Sequence, residues 1–446
     1  MNKQIKLFPI QIIAIGFGLI IIVGGILLTL PICNKSGDSI PFINGLFTAT
    51  SATCVTGLSV YDIYSQFNFL GQLILILLIQ VGGLGFMGIA MTLSFALGSK
   101  ISLFQRSILM ESISTLHIGG VVKTIRRMLF GTLAIEGIGA IILSIRFTPK
   151  VGLEDGLWFG IFHSISAFCN AGFDLMGKIS PGSSLTHYSD DYIVNFVICF
   201  LIASGGIGFI VWNDIIDHKF NIKKYALHSK IMLVFTVGLI FIGAIGFFLL
   251  EEDFAFKGMS TGDRAVASIF ASVSPRTAGF NTVAMDTFSA SGKFLTMLLM
   301  IIGAGPGSTG GGIKITNFVT IVLSIISYSK HYNDLSIFKR RLESDAQRRA
   351  FSSTASYLTL MLTCLFFLLV ANPDLAFDSC LFEAISAIGT VGLTVGITPT
   401  LGAFSKFCLI ILMYCGRLGS IAVAMAIVRR RIIPKISYPE EKIIIG

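Results

Sequence analysis

The stretch LFTATSATCVTGL (residues 46–58) decides the fold of this chain, because three variants of it follow along the sequence. The variants are IFHSISAFCNAGF (residues 161–173), IFASVSPRTAGF (residues 269–280) and LFEAISAIGTVGL (residues 381–393). Every copy ends in a glycine followed by a large apolar residue, and these glycines are Gly57, Gly172, Gly279 and Gly392. The third copy is one residue shorter between its serine and its glycine, so its register is the least defined. Such self-similarity predicts four internal repeats.

Each copy begins as an apolar stretch that is too short to span a bilayer and then breaks at its glycine. This pattern is typical of a re-entrant half-helix with a return strand. Irregular backbone at membrane depth is tolerated only where it is buried in protein or lines water, so four breaks predict a water-filled path. Glycine can adopt positive φ and turn a carbonyl oxygen toward such a path, where carbonyls replace hydration water around a cation. The alternative is that these glycines only allow close helix packing.

The composition predicts an integral membrane protein, since 54% of the 446 residues are hydrophobic and only 13% are charged. Eight apolar stretches are candidate crossings, at residues 9–32, 67–97, 128–146, 192–212, 231–250, 293–328, 351–370 and 404–428. The first is too long for a signal peptide and lacks a cleavage pattern. The eight cysteines form no CxxC or Cys/His cluster, which indicates small buried hydrophobes rather than disulfides or zinc ligands.

The charges divide between alternate loops. Most Lys and Arg lie in residues 1–8, 98–127, 213–230, 329–350 and 429–446, whereas the loops between them hold most of the acids. By the positive-inside rule both termini are cytoplasmic and the acidic loops face outward. The formal charge of +9 therefore reflects membrane topology and does not indicate nucleic-acid binding.

The repeat sequences, in their positions between paired apolar stretches, resemble the filters of the Ktr/Trk/HKT superfamily of potassium transporters. Further family-like stretches are QVGGLGFM (residues 80–87), SGGIGF (204–209), GAGPGSTGGGIK (303–314) and CGRLG (415–419). The chain looks closest to the Ktr membrane subunit, because one crossing precedes the first copy and YPEEKIIIG (438–446) resembles Ktr carboxyl ends. The resemblance implies an all-α membrane domain of four parallel helix–pore-loop–helix repeats around one pore, with eight spanning helices and four re-entrant half-helices. The repeats would cover residues 9–98, 128–213, 231–329 and 351–429, followed by a cytoplasmic tail at 430–446.

The resemblance also implies which residues form the selectivity filter. Potassium would bind at the four glycines, and a glycine at position 57, where some sodium-conducting relatives have serine, favours potassium over the sodium-conducting or sodium-coupled alternative. The implied filter residues are Thr53, Cys54, Val55, Thr56, Gly57, Cys169, Asn170, Ala171, Gly172, Arg276, Thr277, Ala278, Gly279, Gly389, Thr390, Val391 and Gly392. For Arg276 we favour an outer anchor paired with an acid over direct contact with ions.

A run of glycine, serine and proline interrupts the stretch after the third copy, where regular helix is costly. In the family this segment is a movable intramembrane gate, and Arg417 holds it closed; a passive kink is the alternative. The implied gate residues are Gly303, Ala304, Gly305, Pro306, Gly307, Ser308, Thr309, Gly310, Gly311, Gly312, Lys314 and Arg417. Lys314 can instead reach the membrane surface. We expect Glu136, the one acid assigned to the membrane, to serve structural pairing, and His163 to be a hydrogen-bonded core residue.

The chain carries no catalytic nucleophile, phosphate loop or dinucleotide fingerprint, which argues against an enzyme and predicts no covalently bound cofactor. A rocking secondary transporter would instead show inverted repeats. The loops on the basic side are too short to form a sensing domain. The Ktr resemblance implies a homodimer in the cell membrane, docked on a cytoplasmic ring of nucleotide-binding subunits. Its contacts could include the basic clusters at 339–341, 348–349 and 429–431, which anchoring to lipid headgroups explains equally well.

Overall fold

The computed structural model describes residues 8–85, 88, 108, 110, 121–219, 221–332, 334–419 and 441. Except for Glu441, the predicted tail at 430–446 lies outside these residues. So do the basic cluster at 429–431, the far ends of the first and fourth predicted repeats (89–98 and 420–429) and most of the basic segment at 98–127.

Helices dominate the described part of the chain. In chain order they are α1 (Pro9–Thr29), α2 (Phe42–Thr53), α3 (Ile63–Gln66), α4 (Phe69–Leu84), α5 (Val121–Val151), α6 (Leu153–Phe168), α7 (Tyr192–Gly206), α8 (Phe209–His218), α9 (Leu227–Leu250), α10 (Thr261–Val273), α11 (Ala290–Ile301), α12 (Ile315–Ser329), α13 (Ala346–Ala371), α14 (Phe377–Gly389) and α15 (Ala403–Leu418). Two short antiparallel strands, β1 (Ser336–Ile337) and β2 (Arg340–Arg341), form a hairpin between α12 and α13.

Four long apolar helices, α1, α5, α9 and α13, have the length and hydropathy needed to cross a membrane. Their outward faces carry large apolar side chains. On α5, for example, Phe130, Ile138 and Ile145 are 68%, 61% and 66% exposed. Water is a poor solvent for such a surface, so lipid is the solvent that fits it, and the chain is a membrane protein.

A short helix packs against each long helix and follows it in the chain; these are α2, α6, α10 and α14. Local capping fixes where some of the helices start. The Ser260 side chain accepts a hydrogen bond from the Asp263 backbone N–H at the start of α10, and Asn68 caps α4 by accepting from Gly71. The order long helix, short helix, third helix therefore occurs four times.

The third helix of each group ends within its predicted crossing. In three groups a glycine of positive φ lies at the break, whereas α11 ends at Ile301 and irregular residues 302–314 separate it from α12. α4 ends at Leu84 before Gly85 (φ 78°), and α15 ends at Leu418 before Gly419 (φ 90°). α7 and α8 enclose an angle of 96° at a break that contains Gly208. Positive φ ends a right-handed helix, because such a helix needs φ near −63°. The predicted crossings at 192–212 and 293–328 are therefore not single helices, and only the near parts of the other two are described.

Candidate functional site

Each of the four short helices runs into the same backbone turn. Two residues before each repeat glycine, a non-glycine residue adopts positive φ: Val55 (57°), Asn170 (60°), Thr277 (72°) and Thr390 (50°). The repeat glycines also have positive φ: Gly57 (97°), Gly172 (69°), Gly279 (78°) and Gly392 (91°). Positive φ is uncommon in non-glycine residues, so its occurrence at four equivalent positions identifies a conformation that the surrounding structure imposes.

The four repeat glycines meet in a closed ring, which we call the glycine ring. A Cβ atom placed on any of them would collide with a backbone carbonyl oxygen of the next copy. This oxygen belongs to the residue just before the repeat glycine of that copy. The distances from this Cβ to the oxygen are 2.6 Å for Gly57 and Ala171, 2.6 Å for Gly172 and Ala278, 2.4 Å for Gly279 and Val391, and 2.1 Å for Gly392 and Thr56. The contacts thus pass from copy to copy in chain order and close from the fourth copy to the first. No side chain fits at these positions unless the backbone moves.

The glycine ring gathers backbone carbonyl groups and helix ends at one place. The carbonyls of Thr56, Ala171, Ala278 and Val391 lie in the contacts between neighbouring copies. The carboxyl ends of α2, α6, α10 and α14, which carry partial negative charge, are a few residues away. Such an arrangement suits a monovalent cation that has lost part of its hydration shell.

The other predicted filter residues lie deeper, at the helix ends. Thr53 and Gly389 are the last residues of α2 and α14, and Cys54 and Cys169 follow directly after α2 and α6. The structure therefore brings together the glycines and the two residues before each of them, while these four positions lie where the short helices end.

Serine side chains tie every turn to its short helix, in two different ways. Ser51 and Ser386 accept hydrogen bonds from the backbone N–H of Gly57 (3.0 Å) and Gly392 (3.1 Å). In the second and third copies the serine hydroxyl instead donates to the carbonyl after the glycine, from Ser166 to Phe173 (2.7 Å) and from Ser274 to Phe280 (2.5 Å). Each copy of the sequence has a serine four residues after its phenylalanine, which marked these serines as equivalent. The sequence did not show that two of them accept and two of them donate a hydrogen bond.

The shorter third copy keeps the register of the others. The residue before its glycine, Ala278, donates its backbone N–H to the Ser274 carbonyl over four residues (2.9 Å). The corresponding bond in the first copy, from Thr56 to Ser51, spans five residues (2.8 Å). The missing residue is therefore absorbed in the turn, and Gly279 still reaches the ring.

The segment between α11 and α12, residues 302–314, is an irregular loop, which we call the intramembrane loop. Its glycines approach two residues of the turns: a Cβ placed on Gly310 would lie 2.1 Å from the Thr277 hydroxyl oxygen, and one on Gly311 would lie 2.4 Å from that of Thr390. The Thr390 hydroxyl accepts a hydrogen bond from the Gly311 N–H (3.0 Å). Because Thr277 and Thr390 precede their glycines by two residues, the loop packs against the third and fourth turns next to the glycine ring.

The intramembrane loop also bonds to the broken helices around it. Gly305 and Thr309 donate backbone N–H groups to Gly206 (2.9 Å) and Gly205 (3.2 Å) at the end of α7. The Thr309 hydroxyl donates to the Phe168 carbonyl (3.1 Å). The glycine-rich breaks in the neighbouring helices thus supply the exposed carbonyls that the loop needs.

Two cationic side chains hold adjacent carbonyls of this loop. Arg417, on α15, donates to the Thr309 carbonyl and to the carbonyls of Gly82 and Gly83 (3.0 Å for Gly83) at the end of α4. Lys314 donates to the Gly310 carbonyl (2.7 Å). Lys314 therefore folds back onto the loop and does not extend to the membrane surface. Arg417 links the loop to the first group of helices.

Arg276 occupies a different position from the one expected. It lies just before Thr277, at the deep end of the third turn, and is 7% exposed. Its Nη1 donates to the Thr236 carbonyl on α9 (3.2 Å), and among the described residues no carboxylate lies within ion-pair distance. The expectation of an outer anchor paired with an acid is wrong, because the turn directs this side chain between helices that carry no acid at this level.

Glu136 and His163 both have uncharged hydrogen-bond partners. The Glu136 carboxylate is 5% exposed and accepts from the Gln80 amide (3.1 Å). The imidazole of His163 is fully buried; its Nδ1 lies 2.7 Å from the Phe159 carbonyl, and its Nε2 accepts from the Leu175 N–H (3.4 Å). These contacts fit the structural roles expected for both residues.

Sequence reasoning assigned no role to Glu383, because it counted this residue among the acids of the outer segments although it stands inside the fourth copy (residues 381–393). It lies on α14, is fully buried, and accepts hydrogen bonds from the hydroxyls of Thr394 and Thr398 (2.9 Å for Thr398). Glu383 thus braces the segment after Gly392 against α14. The matching position in the second copy is His163, so a polar residue nine positions before the glycine was the available signal.

Proteins of similar sequence are cation transporters. Residues 12–437 match the family model "TrkH: Cation transport protein". The potassium/sodium uptake protein NtpJ of Enterococcus hirae is 39% identical, over 100% of this chain and 99% of that protein. The Ktr system potassium uptake protein B of Bacillus subtilis is 38% identical, over 100% and 98% of the two chains.

The fold is shared, over most of both chains, with a potassium transporter of known structure. The crystal structure of the potassium transporter TrkH from Vibrio parahaemolyticus superposes with a TM-score of 0.76, covering 96% of this chain and 86% of that one at 17% sequence identity.

Proposed function

Because this chain belongs to the TrkH family of cation transport proteins, we propose that it takes up potassium across the cell membrane through the glycine ring. The observation that carries the proposal is the closed ring of backbone contacts among Gly57, Gly172, Gly279 and Gly392. In this proposal the four copies are pore loops that surround one path, and both termini are cytoplasmic.

The path would select ions with backbone rather than side chains. Carbonyls of the residues just before the glycines replace part of the hydration shell, and the carboxyl ends of the four short helices offset the remaining cost of dehydration. The four turns have different sequences, and the third is a residue shorter. We therefore expect fewer equivalent ion sites than a ring of four identical filters would provide.

Sodium conduction or coupling is the second candidate, and one observation favours it: the relative from Enterococcus hirae is named a potassium/sodium uptake protein. The two candidates are separated by rubidium-86 uptake into potassium-depleted cells, with sodium and lithium as competitors. Uptake that sodium suppresses only at large excess supports the potassium filter. Equal competition by sodium would reject it.

The intramembrane loop would act as the gate. It packs next to the glycine ring, and Arg417 and Lys314 hold its adjacent carbonyls at Thr309 and Gly310. A guanidinium at this depth repels cations as well as fixing the loop. Opening would require the loop to leave Arg417, a step that an activating partner can drive.

That partner would be a cytoplasmic ring of nucleotide-binding subunits under a homodimer of this chain. Support comes from the relatives named as components of the Ktr system and from the exposed basic hairpin with Arg340 and Arg341. Neutralising the basic clusters at 339–341, 348–349 and 429–431 should weaken co-purification with the ring while membrane insertion persists. Full nucleotide-responsive transport by the purified chain alone would contradict this division of labour.

A further inference from the structure

The residue two positions after each repeat glycine is polar, although a large apolar residue stands between them. The apolar residues are buried, with at most 1% of their surface exposed; they are Leu58, Phe173, Phe280 and Leu393. The polar residues, which we call the entrance residues, are partly exposed; they are Ser59, Asp174, Asn281 and Thr394. In each copy the two side chains therefore point to different sides, the apolar one into the protein core and the polar one toward an accessible surface.

The entrance residues lie between the glycine ring and the segments that lead to the third helices. Each copy reaches the ring from its short helix and leaves it through its entrance residue. Two residues of extended chain span at most about 7 Å, so every entrance residue stays close to the ring. In the topology proposed above, the segments that follow are on the outer side of the membrane. The entrance residues therefore surround the outer entrance of the path.

Asp174 is the one acid among the four entrance residues. Its Oδ1 accepts a hydrogen bond from the Met176 backbone N–H (2.9 Å), which fixes the position of the carboxylate. Within the described ranges no Lys or Arg lies at ion-pair distance from it, and the nearby Lys178 pairs with Asp155 instead. A neighbouring acid, Asp62, adds further negative charge. The entrance thus carries a negative charge that the protein does not neutralise.

We propose that Asp174 attracts cations to the outer entrance, where its carboxylate raises the local concentration of potassium before an ion enters the glycine ring. This inference rests on the proposed uptake through that ring. A charge in a narrow entrance acts strongly, because walls of low dielectric constant focus its field. The carboxylate attracts potassium and sodium alike. It therefore speeds entry at low ion concentration, while the choice between the two ions stays with the carbonyls of the ring.

Neutralising this carboxylate tests the proposal. Asp174→Asn removes the charge but keeps an oxygen that can accept from the Met176 N–H. Rubidium-86 uptake into vesicles is measured at increasing rubidium concentration and low ionic strength. Partial burial raises the pKa of the Asp174 carboxyl to about 7, so the assay is run at about pH 8.5, where the group is ionised. The half-saturating rubidium concentration should rise about fivefold, with the maximal rate unchanged.

Two properties separate an electrostatic role from a structural one. Added N-methylglucamine chloride should shrink the difference between Asp174→Asn and the parent, because salt screens the charge. The ratio of the half-inhibiting sodium concentration to the half-saturating rubidium concentration should stay constant. Asp190→Asn, which neutralises an exposed acid just before α7, is the control and should keep the parental values.

Moving the charge around the ring gives the sharpest result. Asn281 holds the matching position in the third copy, and its hydrogen bonds to Ser184 and Leu185 are formed by its backbone. The double variant Asp174→Asn with Asn281→Asp should therefore return the half-saturating rubidium concentration to within about twofold of the parent. If Asp174→Asn does not fold, Asn281→Asp alone should lower the half-saturating concentration about threefold, because the entrance then carries two charges.

The outcomes distinguish this inference from the proposed function. A parent that takes up no rubidium rejects the proposed function itself. A parent that transports while Asp174→Asn keeps the parental half-saturating concentration, or changes only the maximal rate, overturns the role of Asp174 alone. The same holds if the double variant fails to recover, or if Asn281→Asp alone leaves the half-saturating concentration unchanged.

Discussion

The glycine ring and the intramembrane loop are both rich in glycine, but different interactions hold them in place. In the ring each glycine packs against the backbone of the next copy, and serine hydroxyls tie every turn to its helix. The loop has backbone bonds to α7, but two cationic side chains, Arg417 and Lys314, hold its middle. Side-chain contacts can break one at a time, whereas the ring changes only if a whole turn moves. We therefore expect the ring to set which ion passes and the loop to set how fast.

Substitution within the ring should have the largest effect. In Gly57→Ser a side chain enters at φ 97° and would collide with the Ala171 carbonyl oxygen 2.6 Å away. Displacing that carbonyl should lower the preference for potassium over sodium about tenfold, which corresponds to about 1.4 kcal/mol. Competitive rubidium uptake measures this change.

The matched control for this variant is Gly37→Ser. Gly37 also has positive φ (76°), but no neighbouring atom lies within 4 Å of the position that a Cβ atom would occupy there. The control therefore introduces backbone strain without a collision. If both serine variants shift selectivity equally, strain and not the ring contact is responsible.

Release of the loop should have the next largest effect, on rate alone. Arg417→Gln removes charge-assisted hydrogen bonds to the Thr309, Gly82 and Gly83 carbonyls. Such bonds contribute about 1.5–3 kcal/mol, so the initial uptake rate should rise about fivefold or more while the ratio of potassium to sodium uptake stays constant. Deleting residues 305–312 should act in the same direction. The gate proposal fails if neither variant conducts faster than the parent under activating conditions.

Lys314→Gln should sharpen this result with a smaller effect. Lys314 donates a hydrogen bond to the loop at the Gly310 carbonyl and is partly exposed. The amide can keep a neutral hydrogen bond there, so the uptake rate should rise only about twofold. If the uptake rate of Lys314→Gln rises more than that of Arg417→Gln in the same kind of vesicles, Lys314 and not Arg417 is the main side chain that holds the loop closed.

The smallest effect is expected for a serine that ties a turn to its helix. Ser166→Ala loses the bond to the Phe173 carbonyl, and a buried hydrogen bond contributes about 1 kcal/mol. The free energy of unfolding should fall by about that amount, whereas Ser356→Ala, which removes an exposed hydrogen bond to the Ser352 carbonyl on α13, should leave it nearly unchanged. Equal values for the two variants would show that the serine bond does not stabilise the turn.

The sequence predicted the parts of this site that depend on backbone chemistry. Glycine at Gly57 and its counterparts indicated positive φ, and the glycine-rich run after the third copy indicated a broken helix; the structure has both features. These predictions depend on local residue type, which a sequence displays directly.

The features that sequence reasoning missed depend on neighbours in space. Arg276 was expected beside an outer acid, but the direction of its side chain follows from how the third turn packs against α9. Glu383 stands inside the fourth copy, but its partners Thr394 and Thr398 follow only from how the segment after Gly392 packs against α14. The order in which the copies close the ring likewise requires three-dimensional contacts between residues far apart in the chain.

The most direct test of the difference between ring and loop is one uptake measurement on three proteins in vesicles: the parent, Gly57→Ser and Arg417→Gln. Rubidium-86 uptake is followed while sodium is increased, which gives an initial rate and a half-inhibiting sodium concentration for each protein. The account predicts that Gly57→Ser has a lower half-inhibiting sodium concentration than the parent, whatever its initial rate. Arg417→Gln should have a higher initial rate than the parent and the same half-inhibiting sodium concentration. These predictions are contradicted if sodium inhibits Gly57→Ser no more strongly than the parent, or if Arg417→Gln changes the half-inhibiting concentration as much as Gly57→Ser does.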